Sequence, residues 1–203
     1  MKFLRSLVLA ATIILVATNV THAQNPNQSR DIPKMPVFLG EDNDFLRYIA
    51  DNLIYPEIAK TLGLQGEVDV DFTIKADGTV ADVKAKNELA GGCDSEAVRL
   101  IKLSPKWTPA ILHGKTIDIK TSVPVLFQLD KKTINNTIAH LKKSPYGFVF
   151  FAGGQVRTLD EMEAKFGKTY DPSTIIDIKK YSNPKFAMPD KQGVYLIFMQ
   201  NGL

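Results

Sequence analysis

This chain has almost no cysteine and none of the usual residue patterns for catalysis or metal binding. One cysteine, Cys93, in 203 residues leaves no internal disulfide, and its plain reading is a small buried apolar side chain. The three histidines, His22, His113 and His140, form no His-Glu-x-x-His pattern, and no cysteine pair is present for zinc. Pairing Cys93 with His113 or His140 as a thiol hydrolase is a reading that sequence alone leaves open. Gly91-Gly92 and Gly153-Gly154 lack the Lys-Ser/Thr that follows a phosphate loop. There is no basic cluster: Lys131-Lys132 and Lys142-Lys143 read as solvated helix ends. After the first 23 residues no apolar run approaches the roughly 20 residues of a membrane span. These absences argue against an enzyme, a metal or cofactor site, and a nucleic-acid binder.

What is present begins with a targeting pattern. Lys2 and Arg5 precede the apolar stretch Ser6 to Thr18, and Thr21-His22-Ala23 supplies small residues at the peptidase positions. The expectation is a signal peptide over 1–23, cleaved after Ala23, and a periplasmic mature protein. The next residue is Gln24, not the cysteine of a lipoprotein. Cleavage removes two of the 25 basic residues and none of the 22 acidic ones, so net charge falls from +3 to +1. Residues 24–37, rich in Pro, Asn and Gln, read as a flexible leader. If the apolar segment instead stays in the inner membrane, this leader reaches roughly 50 Å when fully extended.

The remainder predicts an α+β fold. Phe45, Leu46, Ile49 and Leu53 suggest a helix over 41–53, capped by Asp42 or Asp44. Pro56 opens a short helix that ends at Gly63. Val68, Val70, Phe72 and Ile74 alternate with Asp69, Asp71, Thr73 and Lys75, which makes a strand with one buried face. Asp77-Gly78 turns it into a hairpin ending near Lys86. Asp94 to Leu103 is an amphipathic helix stopped by Pro105. A last strand over 117–129 places Ile117, Ile119, Val123, Val125, Phe127 and Leu129 on one face. An antiparallel sheet with helices on one face follows.

The order Tyr55-Pro56, Gly63-Leu64-Gln65-Gly66, alternating strand, Asp77-Gly78, Gly91-Gly92-Cys93-Asp94-Ser95-Glu96 and Lys106-Trp107-Thr108-Pro109 resembles the C-terminal domain of TonB-type proteins, in the variant common in Bacteroidetes-like bacteria. The resemblance covers about 36–129. It implies a protein-binding module that engages TonB-dependent outer-membrane transporters through their TonB box peptide, by strand addition at the final strand. The residues it implicates are Tyr55 and Pro56 together with Asp118, Ile119, Lys120, Thr121, Ser122, Val123 and Val125. Pro124 suits an edge strand. Trp107 reads as core.

Beyond the first unit (38–130), Ile134, Ile138 and Leu141 suggest a linking helix over 131–143, in a link to 145. Residues 146–203 then read as a small β-α-β-β unit: strand 148–152, helix 159–166 capped by Thr158, strand 175–181 with Ile176 and Ile178 on one face, and strand 193–199. At about 60 residues it is marginal alone and should pack on the first unit or on a partner. Phe148 to Gly154, Asp171-Pro172 and Gly193 to Ile197 resemble, more faintly, the plug domain of TonB-dependent receptors. Two alternatives stay open: a membrane-anchored energy transducer, and a structural or regulatory envelope protein that pairs with itself.

Overall fold

Alternation at period two becomes a strand with one buried face, and the first sheet is built on it. The computed structural model describes residues 32–200, which lie in one compact unit. The signal-peptide reading and cleavage after Ala23 lie outside these residues. In β1 (Gly66–Ile74), Val68, Val70, Phe72 and Ile74 are buried, as expected. β1 pairs antiparallel with β2 (Val80–Ala85) on one side and with β5 (Ile119–Phe127) on the other, in the order β2-β1-β5. Gly78 makes the hairpin turn at φ 81°, and the Trp107 carbonyl sits so close that a Cβ there would collide with it. The Trp107 backbone N–H donates to the Gly78 carbonyl at 2.9 Å. Its ring packs 5.3–5.8 Å from Phe38, Phe45 and Phe72, so it belongs to the core as read.

Three helices cover the inner face. These are α1 (Phe45–Asn52), α2 (Glu57–Leu62) and α3 (Cys93–Lys102). Ile49, Ala59, Leu62, Cys93, Ala97, Leu100 and Ile101 join the strand side chains in one buried cluster. Gly63 ends α2 in the left-handed conformation (φ 70°), which only glycine adopts cheaply. The helix expected over 41–53 is interrupted. Residues 41–43 form a 3-10 turn, with Asp42 and Asn43 both at φ 55°. Asp44, not Asp42, caps α1 by accepting the Arg47 N–H at 3.0 Å. Leu46 points outward at 73% exposure, and Phe45, Tyr48 and Ile49 pack instead.

The leader expected over 24–37 is tied down at its end. Lys34 exchanges two backbone hydrogen bonds with Ile111 (2.8 and 3.1 Å), the Val37 carbonyl accepts from Thr108, and Leu39 donates to Lys106. Period-free composition gives no sign of this, because most of the bonds are backbone to backbone; the Val37 N–H also donates to the Thr108 hydroxyl at 2.6 Å.

The last strand is not continuous over 117–129. A hairpin of β3 (Ala110–Leu112) and β4 (Lys115–Ile117), turned by His113 and Gly114 at positive φ, precedes it. The chain breaks at Asp118, and Leu129 lies beyond the end of β5. The Asp118 carboxylate accepts the Ala76 N–H at 2.8 Å and pairs with the Lys75 ammonium. Ile117 therefore pairs with Ala110, not with β1.

The link to the second sheet is mostly loop. Only α4 (Ile138–Lys143) is helical, capped by the Thr137 hydroxyl. Asn135 holds a local turn by accepting from the Thr137 N–H and hydroxyl, which competes with a helix starting at Lys131. The second sheet contains β6 (Gly147–Ala152), β7 (Gln155–Arg157), β8 (Ile175–Lys180) and β9 (Val194–Met199) in the order β7-β6-β9-β8. β6 and β9 are parallel, and the other pairs antiparallel. α5 (Leu159–Phe166) starts at Thr158 with a capping box to Glu161. A bulge between Ile175 and Asp177 shifts the phase of β8. Ile176 is therefore exposed (55%), while Ile175 and Ile178 pack inward. The expectation that Ile176 and Ile178 share a packed face fails for that reason.

The second sheet packs on the first unit. Phe148, Phe150, Ile197 and Met199 belong to the same buried cluster as β1. Tyr170 is buried and donates its hydroxyl to the Leu62 carbonyl at 3.1 Å. That carbonyl lies in the last turn of α2, where helix geometry provides no partner.

These contacts rank two substitutions. Tyr170→Phe orphans the Leu62 carbonyl and should cost about 1 kcal/mol. Phe127→Ala opens a cavity between Tyr55 and the sheet and should cost roughly 3–5 kcal/mol. Urea unfolding of both variants checks the ranking, and equal stabilities would refute it. Asp118 carries a pH dependence. The hydrogen bond from Lys75, then that from Ala76, holds its pKa below the ordinary 3.8. A depressed carboxyl stabilises the fold above its unfolded value and loses that effect as pH falls through the folded one. The difference in Tm between the parent and Asp118→Asn should therefore be steady near neutral pH and close as pH drops past 3.8. A gap unchanged down to the lowest pH at which the fold survives would contradict this.

Candidate partner-binding edge

The direction of each backbone group in β1 decides which groups of β5 are free. Asp69 sends both of its groups toward the β2 side. Its N–H donates to Asn87 Oδ1 at 2.6 Å, and its carbonyl accepts from the Lys86 N–H at 2.8 Å. Antiparallel ladders alternate bonded and non-bonded pairs, so Asp69 faces Pro124 as a non-bonded pair. Pro124 thus turns its nitrogen and carbonyl away from β1. The register is unbroken from Gly66↔Phe127 to Ile74↔Ile119. The same phase turns the N–H and C=O of Lys120, Ser122 and Leu126 outward. Ile119, Thr121, Val123, Val125 and Phe127 spend theirs on β1.

β5 has no strand on its outer side among the described residues. The other sheet edges are shorter or spoiled. β2 carries a bulge opposite Asp71–Thr73, with Asp82 at φ 54°. β7 and β4 are three residues each. In β8, the Tyr181 N–H bonds to Val194, which by the same alternation turns Ile178 outward. The Ile178 N–H is occupied by Asp177 Oδ1 at 2.8 Å. Among the described residues, nine residues of regular ladder with free outward groups occur only in β5.

The two faces beside this edge differ. On the inner side Ile119, Thr121 and Val123 are half-buried, and Val125 and Phe127 fully so. On the outer side Lys120 and Ser122 border an open depression of about 540 Å³ with Asp71, Thr73, Asp82 and Lys84. Thr73 donates its hydroxyl to Asp82 Oδ2 at 3.0 Å. The alternation of Asp69 and Asp71 in the sequence points to this polar face. Nothing in it points to Lys84 and Asp82 beside Lys120, because the β2 bulge sets that arrangement.

The residues expected at the site are spread along the whole edge. Tyr55 stacks edge-on against Phe127, 5.7 Å between ring centres, at one end. Its hydroxyl donates to the Leu64 carbonyl, and burial first, then Cys93, pushes its pKa up to about 12. Tyr55 therefore positions the end of the strand and has its polar group already engaged. Pro56 is the residue before α2, at φ −61°. The preceding turn is held by Glu96, which accepts the Ile54 N–H at 2.7 Å and two hydrogen bonds from Arg99. Burial pushes the Glu96 carboxyl up, but those donors win and hold it below its usual value. Asp118 sits at the far end, about 30 Å from Tyr55 along the strand at its normal rise, in the break before β5. Ile119, Lys120, Thr121, Ser122, Val123 and Val125 form the edge itself.

Among the described residues no group of three or more His, Cys, Asp or Glu is placed to hold a metal ion. Cys93 is buried, and burial first, then Asp94 and Glu96, pushes its thiol up to about 12. No helix among the described residues is long and apolar enough to cross a membrane.

Comparison with known proteins finds similarity over part of this chain. A sequence model of the Gram-negative bacterial TonB protein C-terminal matches residues 51–129. The chain is 24% identical to Protein TonB of Pseudomonas aeruginosa over 107 residues, 53% of this chain and 31% of that protein. It is 33% identical to Protein TonB of Helicobacter pylori over 95 residues, 44% of this chain and 32% of that protein. It thus spans about a third of the length of these curated relatives. Two NMR solution structures of the Helicobacter pylori TonB-CTD are also similar. One is 28% identical, covering 46% of this chain and 88% of that chain, with TM-score 0.34. The other is 31% identical, covering 42% and 89%, with TM-score 0.31. The family match ends at residue 129, where β5 has just closed and before the second sheet begins. Residues 51–129, which hold α2, β1, β2, α3 and the β5 edge, are the part of this chain that matches the TonB C-terminal family.

Proposed function

We propose that the chain is a periplasm-facing, TonB-type binding module that takes up an extended segment of an outer-membrane transporter as an added strand on β5. The observation that carries this reading is the unpaired β5 edge, with outward N–H groups at Lys120, Ser122 and Leu126. Strand addition draws affinity from such backbone groups and selectivity from alternate side chains. Residues of the incoming segment opposite Lys120 and Ser122 would lie over the polar depression. Those between them would cover the half-buried Ile119, Thr121 and Val123. A segment alternating apolar and polar residues fits both faces.

The ladder phase gives a sharp test. Lys120→Pro and Ser122→Pro each remove one outward N–H and leave the bonds to β1 intact, whereas Thr121→Pro removes an inward one. The probe is a set of synthetic peptides copying the N-terminal segments of transporters from the same cells, titrated by calorimetry. Each outward proline should weaken binding roughly three- to tenfold or more, one lost hydrogen bond plus the ring's bulk, with the Tm nearly unchanged. Thr121→Pro should lower the Tm. Lys120→Ala and Ser122→Ala should bind much more nearly like the parent. If the outward prolines bind as the parent does, strand addition at β5 is wrong.

A further inference from the structure

We infer that Pro124 is a specificity-determining residue, setting the length and register of the segment that the β5 edge accepts; this rests on the strand-addition reading above. Its placement follows from Asp69, whose two backbone bonds toward β2 make Asp69↔Pro124 a non-bonded pair and turn the Pro124 nitrogen outward. The edge is thereby divided. Ile119 to Val123 offers the N–H and C=O of both Lys120 and Ser122. Position 124 offers a carbonyl and a pyrrolidine ring. Leu126, 56% exposed, lies beyond it.

An incoming strand pairs fully with Lys120 and Ser122. Carried past Ser122, it brings a carbonyl against the proline ring, where no donor meets it and water is displaced. An unpaired carbonyl costs about what a hydrogen bond returns, so residues that reach across Pro124 add little. The proline also marks the register. A segment shifted along β5 by two residues would exchange a full pair at Lys120 or Ser122 for the deficient one at 124. Side chains agree with this limit. The polar depression reaches Lys120, Thr121 and Ser122 and stops there.

Pro124 can be replaced without touching the bonds between β1 and β5, because its nitrogen does not face β1. Pro124→Thr restores an outward N–H in a residue suited to strands. Parent, Pro124→Thr and Ser122→Pro would be titrated with one transporter-derived peptide synthesised in increasing lengths, extended in the direction that carries it from Ser122 toward Leu126. For the parent, affinity should climb and then level off once the peptide fills Lys120 and Ser122. For Pro124→Thr it should keep climbing, by roughly two- to tenfold over the added residues. Amide exchange on the complexes should show protection at Lys120 and Ser122 in the parent. In the Pro124→Thr variant, protection should extend to the new amide at position 124 and to Leu126.

A parent curve that rises steadily across Pro124 overturns the inference, as does a variant curve that levels off where the parent's does. Both results leave strand addition standing if Ser122→Pro still weakens binding. If Ser122→Pro binds as the parent, or no peptide binds the parent, the strand-addition reading fails and the inference fails with it.

Discussion

The two-sided commitment of β1 is the constraint on which this molecule depends. β1 is paired along both edges, so every one of its residues must direct its backbone groups toward either β2 or β5. Asp69 settles the phase through Asn87 and Lys86, and side-chain direction is locked to it. Val68, Val70, Phe72 and Ile74 point into the core and face β5 residues that do the same. Asp69, Asp71 and Thr73 face the polar side. A one-residue slip would bury three polar side chains and expose four large apolar ones. The register of β5 is therefore set by core burial, and with it which β5 groups remain free.

The parts legible in sequence are those where one periodicity dominates over several residues. β1 is readable because four apolar side chains alternate with polar ones. α2 is readable because Pro56 and Gly63 bracket it, and α5 because Thr158 and Glu161 are three apart. The Gly66-to-Phe127 pairing is not legible in pattern and appears only in the structure. What stays hidden depends on backbone bonds and single side-chain contacts. The strapping of 34–39 along 106–111 leaves no trace in composition. Asp118 is implicated as an edge residue by the resemblance, yet its carboxylate is claimed by Lys75 and Ala76. The bulge in β8 moves Ile176 to the surface, where a strict alternation places it inward. Of the site, the strand and its proline are visible. The outward phase of Lys120, Ser122 and Pro124 is not, since it requires knowing where Asp69 bonds.

The chain beyond β5 helps hold the first sheet in shape. Tyr170 caps the Leu62 carbonyl, Gly63 lies against Pro172 and Ile134, and Leu129 donates to Gln65. All of these contacts converge on the turn between α2 and β1, which feeds Gly66 into its pair with Phe127. Tyr55 braces the same end from the other side, through Phe127 and the Leu64 carbonyl. One end of the β5 edge is thus clamped by both units, and the other is closed by Asp118.

Free strand edges are a hazard, because any extended chain can pair with them. This protein treats its β5 and β8 edges differently. β8 is closed chemically: Asp177 occupies the Ile178 N–H, Lys179 pairs with Asp177 at 3.0 Å, and a bulge bends the start of the strand. β5 keeps its ladder regular and carries a single proline, which removes one outward donor while leaving those of Lys120 and Ser122 on one side and Leu126 on the other. A proline placed at Thr121 or Val123 would have broken the pairing with β1, and one at Ser122 would have split the edge nearer its middle. At position 124 it leaves one uninterrupted stretch, bordered by the polar depression on one face and by half-buried Ile119, Thr121 and Val123 on the other. An edge meant only to be protected has no need of such a stretch. Its retention, alongside the bulge and the occupied Ile178 N–H of β8, is the feature on which the proposed strand addition rests.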